Sequence, residues 1–396
     1  MIEVAEAQAV ILRRARPLPP HAGPPVPGRV LAEDVVSDLD MPPFDKAMMD
    51  GYAVRSADFA GGPSKLQVVE EITAGRTPEK PVGPGQAARI MTGAPLPAGA
   101  DAVVMIERCE AAGEDAVRIP APVTAGQNVQ PRAREFRRGE TVLAAGSLLR
   151  PQEIGLLAIV GRPSMLSHAV PRVAVLATGA ELVEPDHEPG PGQIRNSNAP
   201  MLIAQAASAG AHPHYLGIAR DNVSHLWQLI GDGLTHDVLL LTGGVSAGKL
   251  DLVPEVLRDL GVTAHFHKVR MKPGKPVLFG TRGEALVFGL PGNPVSAFVC
   301  FELFVRPALR RLSGHAAGPP EFVSLPLGED FRYTTDRPTY HPARIERCAV
   351  GECVRPVAWH GAPDVRALTL ANALMLVPAG EHVHRAGDAV PALRLN

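Results

Sequence analysis

Lys272-Pro273-Gly274-Lys275-Pro276 sets two ammonium groups three residues apart around a proline–glycine pair. Proline in the second place and glycine in the third fit a type II turn, which brings its first and fourth residues within about 7 Å at Cα. Lys272 and Lys275 can then converge on one anion. Taken alone, the pair reads equally well as two solvated side chains on a loop. Two neighbouring segments favour the site reading. Thr242-Gly243-Gly244-Val245-Ser246-Ala247-Gly248-Lys249 and Leu290-Pro291-Gly292-Asn293-Pro294 each follow a short apolar run and offer glycine-turn N–H groups suited to anions. The second of them reads as a helix start, with Asn293 as N-cap and Pro294 in the first helical position, its unpaired N–H groups available to an anion. The segment from Gly243 to Lys249 nearly spells a P-loop, but Leu250 stands where a Ser or Thr must hold Mg²⁺. A nucleotide hydrolase is disfavoured for that reason.

Acids flank these loops. Asp221 and Asp251 read either as helix N-caps or as carboxylates that hold a hard divalent cation against phosphate oxygens, and Glu181 is a third acid after Thr178-Gly179. His212/His214 and His265/His267 share strand faces but lack Cys or acidic neighbours in sequence, which makes them poor zinc ligands. Far from these segments, Asp50-Gly51 in Phe44-Asp45-Lys46-Ala47-Met48-Met49-Asp50-Gly51-Tyr52 reads as a hairpin corner, and Thr92-Gly93 ends another strand in a glycine turn.

The pattern between 172 and 314 shows what must position the lysine turn. Apolar runs at 172–177, 214–219, 237–241, 265–270 and 285–289 predict strands. Between and after them, 199–209, 223–234, 252–260 and 294–312 predict helices. This alternation implies an open, mostly parallel α/β sheet whose ligand loops leave the carboxyl ends of the strands. On either side the signal is different. Residues 4–14 read as a short amphipathic helix, 45–138 as short strands and turns, 150–161 as a helix opening on Pro151, and the chain beyond Pro319 as a second small β domain.

Composition sets the outer limits. The 396 residues allow two to four domains, and a net charge of −2 with pI near 6.7 gives no basic field for nucleic acid and no polybasic anchor. The 39 Gly and 40 Pro are scattered between apolar strands, which marks a turn-rich folded chain rather than a disordered one. The first twenty residues lack the apolar core of a secretory signal, and no window reaches the ~20 apolar residues of a membrane helix. Cys109, Cys300, Cys348 and Cys353 form no CxxC pair; Cys348 and Cys353 can meet across a hairpin, but reduced thiols in a cytosolic protein are the expectation.

Together, the Asp50-Gly51 and Thr92-Gly93 segments, Gly243-Gly244-Val245-Ser246, Lys272-Pro273-Gly274-Lys275-Pro276 and Leu290-Pro291-Gly292-Asn293-Pro294-Val295-Ser296 resemble the molybdopterin molybdenumtransferase (MoeA) family, to which the E domain of gephyrin is related. The motifs fall in the family's order over nearly the whole chain. The resemblance implies four domains: a discontinuous one (1–44 and 139–170), an inserted β domain (45–138), a molybdopterin-binding α/β domain (171–316) and a C-terminal β domain (317–396). It implies a cytoplasmic homodimer with composite sites that takes adenylylated molybdopterin and molybdate, uses Mg²⁺ or another divalent cation, and acts without nucleic acid or membrane. By motif, Asp50, Thr92, Lys272 and Lys275 fall at catalytic positions. Glu181, Gly243, Gly244, Ser246, Pro291, Gly292, Asn293 and Pro294 fall at substrate-binding positions, and Asp221 and Asp251 at metal positions.

The chain departs from the family pattern at Gly179-Ala180-Glu181, Gly248-Lys249-Leu250, Ala133-Arg134-Glu135 and Gly361-Ala362-Pro363, which remove acids and hydroxyls and add Lys249 and Arg134. Two alternatives stay open: a molybdopterin adenylyltransferase, and a molybdopterin-binding paralogue without turnover. The large β domains weigh against the first.

Overall fold

The computed structural model describes residues 1–220, 222–244, 252–349 and 351–395. The chain divides into two compact units, Met1–Ala32 with Met165–Asn396, and Glu33–Ser164.

In the larger unit a six-stranded sheet runs in the order His212–Ala219, Arg172–Thr178, Val238–Thr242, Ala285–Leu290, Leu278–Arg282, Thr263–Phe266. The first four strands are parallel. Their side chains alternate between faces, as a period of two requires. Val173, Val175, Val238 and Leu240 pack on one face with the helices Val4–Arg14, Asn198–Ser208 and Pro294–Cys300, while Ala174, Leu176, Leu239 and Leu241 pack on the other with Val223–Gly233 and Val253–Asp259. Both faces being covered explains why these strands read as unbroken apolar runs.

Two expectations about this sheet are corrected. The strand expected at 265–270 is Thr263–Phe266, and a further strand, Leu278–Arg282, follows it. Leu278–Arg282 pairs antiparallel with both neighbours. Thr263–Phe266 therefore runs in the same direction as the parallel four, and the chain leaving it, which carries the two lysines, emerges at their carboxyl edge. The helix expected over 294–312 is also not uniform: a five-residue π-helical turn, Phe301–Val305, separates Pro294–Cys300 from Arg306–Leu312. Pro307 has no N–H to give to an α-helical ladder, and a local widening of the helix accommodates that loss.

The C-terminal part of this unit is a five-stranded antiparallel sheet, Val323–Pro326, Ala389–Arg394, Ala373–Val377, Thr339–Cys348, Gly351–Pro356, with Phe331–Thr335 paired separately to Gly380–His384. The hairpin register sets Glu346 opposite Cys353 and Cys348 opposite Gly351. It brings the Cys348 and Cys353 Cα atoms to 5.9 Å, within disulfide range, and the two are bonded. That corrects the expectation of four reduced thiols; Cys109 and Cys300 remain free.

The smaller unit is built on a six-stranded sheet ordered Ala102–Met105, Gly51–Val54, Gln86–Ile90, Ser64–Ile72, Ala116–Ile119, Glu110–Ala111. Gly51 opens an interior strand rather than turning a hairpin. A β-carbon there would run into the Val104 carbonyl of the neighbouring strand, so the glycine serves close approach. Among the described residues no helix is long and apolar enough to cross a membrane.

Candidate functional site

Three loops meet at the carboxyl edge of the parallel strands. The first, Thr178–Glu181, packs against the third-strand turn so closely that a β-carbon at Gly243 would collide with the Thr178 carbonyl, and one at Gly244 with Thr178 Oγ1. Both glycines have positive φ, +86° and +61°. Close approach and conformation each demand glycine here. The Gly243 N–H donates to Leu290 O, and Asn198 Nδ2 donates both to Thr242 Oγ1 at 2.7 Å and to Gly292 O at 2.8 Å. Asn198, a buried side chain that sequence reasoning missed, ties the glycine loops together. Pro291, also buried, adds its carbonyl, which accepts from Thr242 Oγ1.

On one side of this seam is a cavity of about 500 Å³ lined by Gly179, Ala180, Glu184, His187, Gln193 and Arg220, among others. Glu181 is exposed on the adjoining loop, its carboxylate folded back beside Gly179. The Ala180 departure from the family pattern falls on this wall. Beneath it, Tyr215 OH donates to Glu184 and accepts from Asn196 Nδ2; burial, and then the Glu184 carboxylate, push the Tyr215 phenol well above its usual pKa. Asp221, Ser246 and Asp251, as well as Lys249 and Leu250 of the near P-loop, lie outside the described residues.

The lysine turn forms a second cavity, of about 300 Å³, with Lys272, Lys275, Asn293, Ser296, Arg337 and Trp359 in its wall. The turn is not type II. The Lys272–Pro273 peptide is cis, and the Lys272 carbonyl accepts from Tyr340 N–H at 2.7 Å instead of closing back on Lys275. Lys272 N–H donates to Pro338 O at 2.8 Å, so the turn is stitched to the start of the Thr339–Cys348 strand of the C-terminal sheet. Both lysines line one cavity, Lys272 half-buried with Nζ 5.3 Å from the Tyr333 ring centroid, Lys275 exposed.

Arg337 enters from the link between the Phe331–Thr335 and Thr339–Cys348 strands. Its carbonyl accepts from the Thr335 and Thr339 hydroxyls, and its Nε lies 3.2 Å from Asp336. Tyr333 and Trp359 make edge contacts with His341, which is 5% exposed. Burial holds the His341 imidazole below its usual pKa range, and the Lys272 charge adds in the same direction. The aromatic wall and Arg337 carry no short motif, and only the packing of the chain's C-terminal strands reveals them.

The helix start contributes less than expected. Asn293 occupies the N-cap position and Pro294 the first turn, but the Asn293 side chain makes no capping hydrogen bond. Val295 N–H is already taken by Ala362 O. Ala362, one of the departures noted from the sequence, thus contributes backbone to the cavity wall, and Ser296 lines the same wall.

In the smaller unit Asp50 and Thr92 are brought together across the sheet. Asp50 Oδ1 accepts from both Thr92 N–H and Thr92 Oγ1, each at 2.7 Å. These two donors, the N–H first, hold the exposed Asp50 carboxyl below its usual pKa.

The comparisons with known proteins cover the same regions. Residues 2–161 match the MoeA N-terminal region (domain I and II), 174–311 the probable molybdopterin binding domain, and 324–395 the MoeA C-terminal region (domain IV). The chain is 35% identical over 366 residues to a molybdopterin molybdenumtransferase of Staphylococcus aureus, covering 91% of this chain and 87% of that protein. It is 34% identical over 371 residues to the Staphylococcus epidermidis protein of the same name, with 92% and 88% covered. Its fold superposes on a molybdopterin biosynthesis moeA protein from Pyrococcus horikoshii OT3 with a TM-score of 0.84 at 30% identity, over 99% of this chain and 100% of that one. The chain therefore belongs to the MoeA family of molybdopterin molybdenumtransferases, and its role lies in molybdenum cofactor biosynthesis.

Proposed function

We propose that this chain inserts molybdate into adenylylated molybdopterin, releasing AMP and molybdenum cofactor. One observation carries the reading: Lys272, Lys275 and Arg337 line a single cavity that has no acidic side chain among its described lining residues. Such a cavity suits a tetrahedral dianion, since charge-assisted hydrogen bonds fixed in advance stabilise charge without reorganisation. Tyr333 and Trp359 give it an apolar side against which the organic part of the substrate can rest. The larger cavity beside Gly179 and Arg220, on the same strand edge, would take the adenylylated end.

Glu181 is a hard oxygen donor on that edge and fits an Mg²⁺-class ion; Asp221 and Asp251 would supply further carboxylates. When bound, such an ion would neutralise phosphoanhydride charge and help AMP depart. In this reading the protein works as a cytoplasmic homodimer, and Asp50 and Thr92 of the other subunit complete each site. Asp50, kept ionised by its two Thr92 donors, would orient N–H or ammonium groups rather than pass protons.

The decisive experiment is AMP release from adenylylated molybdopterin with and without molybdate. Molybdate-dependent release supports insertion. Formation of adenylylated molybdopterin from ATP would move the chain to the adenylyltransferase reading. Tight substrate binding without release would make it a non-catalytic binder.

A further inference from the structure

We propose that the Cys348–Cys353 hairpin, once reduced, is a metal site for a zinc-class divalent cation, with Glu346 as third ligand. The site lies in the C-terminal sheet and does not depend on the reading of the lysine cavity. Its residues are set by register. Glu346 and Cys348 are two apart on one strand and so share a face, while Cys353 stands directly opposite Glu346 on the other strand. The Glu346 carboxylate and the two sulfurs all lie within 4.8 Å of one another, close enough for one ion to bridge them. Two sulfurs and one carboxylate form a donor set for a borderline-soft ion, and a water would complete a tetrahedron.

Electrostatics and packing fit the same ion. Two thiolates and a carboxylate around a dication leave one negative charge, which faces Arg355; its Nη1 pairs with Glu329 at 3.0 Å and its Nε donates to Glu346 Oε1 at 2.6 Å. That contact fixes one oxygen and leaves Oε2 without a hydrogen bond among the described residues. Cys353 is buried, 2% exposed, and the Gly328 backbone covers it: a β-carbon at Gly328 would stand 3.1 Å from Cys353 Sγ. Cys348 and Glu346 are half-buried, so an ion can enter from their side.

In the structure the sulfurs are bonded to each other, so the metal state needs a reductant. A water-soluble phosphine supplies it: the S–S bond breaks, water gives one oxygen to phosphorus, two electrons pass to sulfur, and the two sulfurs leave as thiols. Binding of the dication then releases both thiol protons, so affinity rises with pH. Disulfide and metal are alternative cross-links of one hairpin.

The test uses the full-length protein, reduced with a phosphine and titrated with Co²⁺ and then Zn²⁺. One equivalent of Co²⁺ should give a sulfur-to-cobalt charge-transfer band, Zn²⁺ should erase it, and the oxidised protein should show none. Cys348→Ser should abolish the band, Glu346→Gln should weaken binding at least tenfold, and Cys109→Ser should leave it intact. The reduced protein should melt higher with Zn²⁺ than without. A reduced protein that binds Co²⁺ without a thiolate band, a band that survives Cys348→Ser, or a hairpin that stays oxidised in excess phosphine would each overturn the proposal.

Discussion

The lysine turn and the Asp50 corner hold charge in opposite ways. Asp50 is an acid whose own fold satisfies it: two Thr92 donors sit on one oxygen, and the carboxylate is ionised with no cation needed. Lys272 and Lys275 have no carboxylate within ion-pair distance among the described residues; Lys272 rests against an aromatic face, and both point into a cavity lined by a third cation. In the proposed reading, a fold that satisfies an acid internally and leaves two lysines in a cavity with no ion-pair partner among the described residues is organised to take an anion from outside. The contrast supports the proposed reading, in which the ligand's charge rests in the lysine cavity and Asp50 positions.

The strongest way to break this comparison is subunit complementation. In the proposed composite dimer, Asp50→Ala and Lys272→Ala damage the same site from different chains. Mixed under exchange, half of the dimers carry one intact site, and AMP release should recover to about a quarter of the wild-type rate. Exchange without recovery would place both residues' functions within one chain.

Next in size is the difference between the two lysines. Each charge-assisted hydrogen bond contributes roughly 1.5–3 kcal/mol, with the larger value for the more desolvated group. Lys272 is half-buried over Tyr333 and Lys275 is exposed. Lys272→Ala should weaken molybdate binding about a hundredfold and Lys275→Ala about tenfold, with Tm unchanged for Lys275→Ala. Calorimetric titration gives the order; equal losses would mean that depth in the cavity does not set the contribution.

How much of this was legible before the structure follows from where the information lies in the chain. The parallel strands were readable because burial on both faces writes them as continuous apolar runs, and Val4–Arg14 because a helix writes its period locally. Leu278–Arg282 was missed because Pro276 and the short Arg282-Gly283-Glu284 link hide a tight antiparallel return inside an alternating α/β pattern. The two lysines are legible as a motif, and both line one cavity; the expected turn type fails, because the Thr339–Cys348 strand takes the Lys272 carbonyl through Tyr340 N–H, a contact between residues about seventy apart. Arg337, Trp359 and Asn198 had no local signal at all. Their place depends on which domain surface folds over the strand ends.

A smaller effect tests whether the turn's backbone, and not only its charges, builds the cavity. Gly274 has φ +106°, and a β-carbon there would lie 2.5 Å from Cys300 Sγ and 3.1 Å from Met271 Cε. Gly274→Ala should destabilise the protein by about 1–3 kcal/mol through strain and overpacking. Oxyanion affinity should fall with it, although both lysines remain. Loss of stability with wild-type affinity would show that the lysines find the anion without the turn.

The smallest expected effect is on the acid side. Thr92→Val removes the hydroxyl donor to Asp50 and keeps the backbone one, which is the larger of the two influences on the carboxyl. The Asp50 pKa should therefore rise toward its ordinary value of 3.8 without passing it, as read from the carboxyl carbon shift during an NMR titration. Because the folded-state pKa is depressed, the hydroxyl's contribution to stability is fully present above that ordinary value and is lost as pH falls through the depressed one. Wild type and Thr92→Val should differ slightly in Tm at neutral pH and converge in acid. AMP release should fall only a few-fold and keep its pH profile across the neutral range, since Asp50 stays ionised in both proteins. A profile that acquires a new inflection near neutrality in Thr92→Val would make Asp50 a proton-transfer group, and the division between a satisfied acid and unsatisfied cations would no longer describe the site.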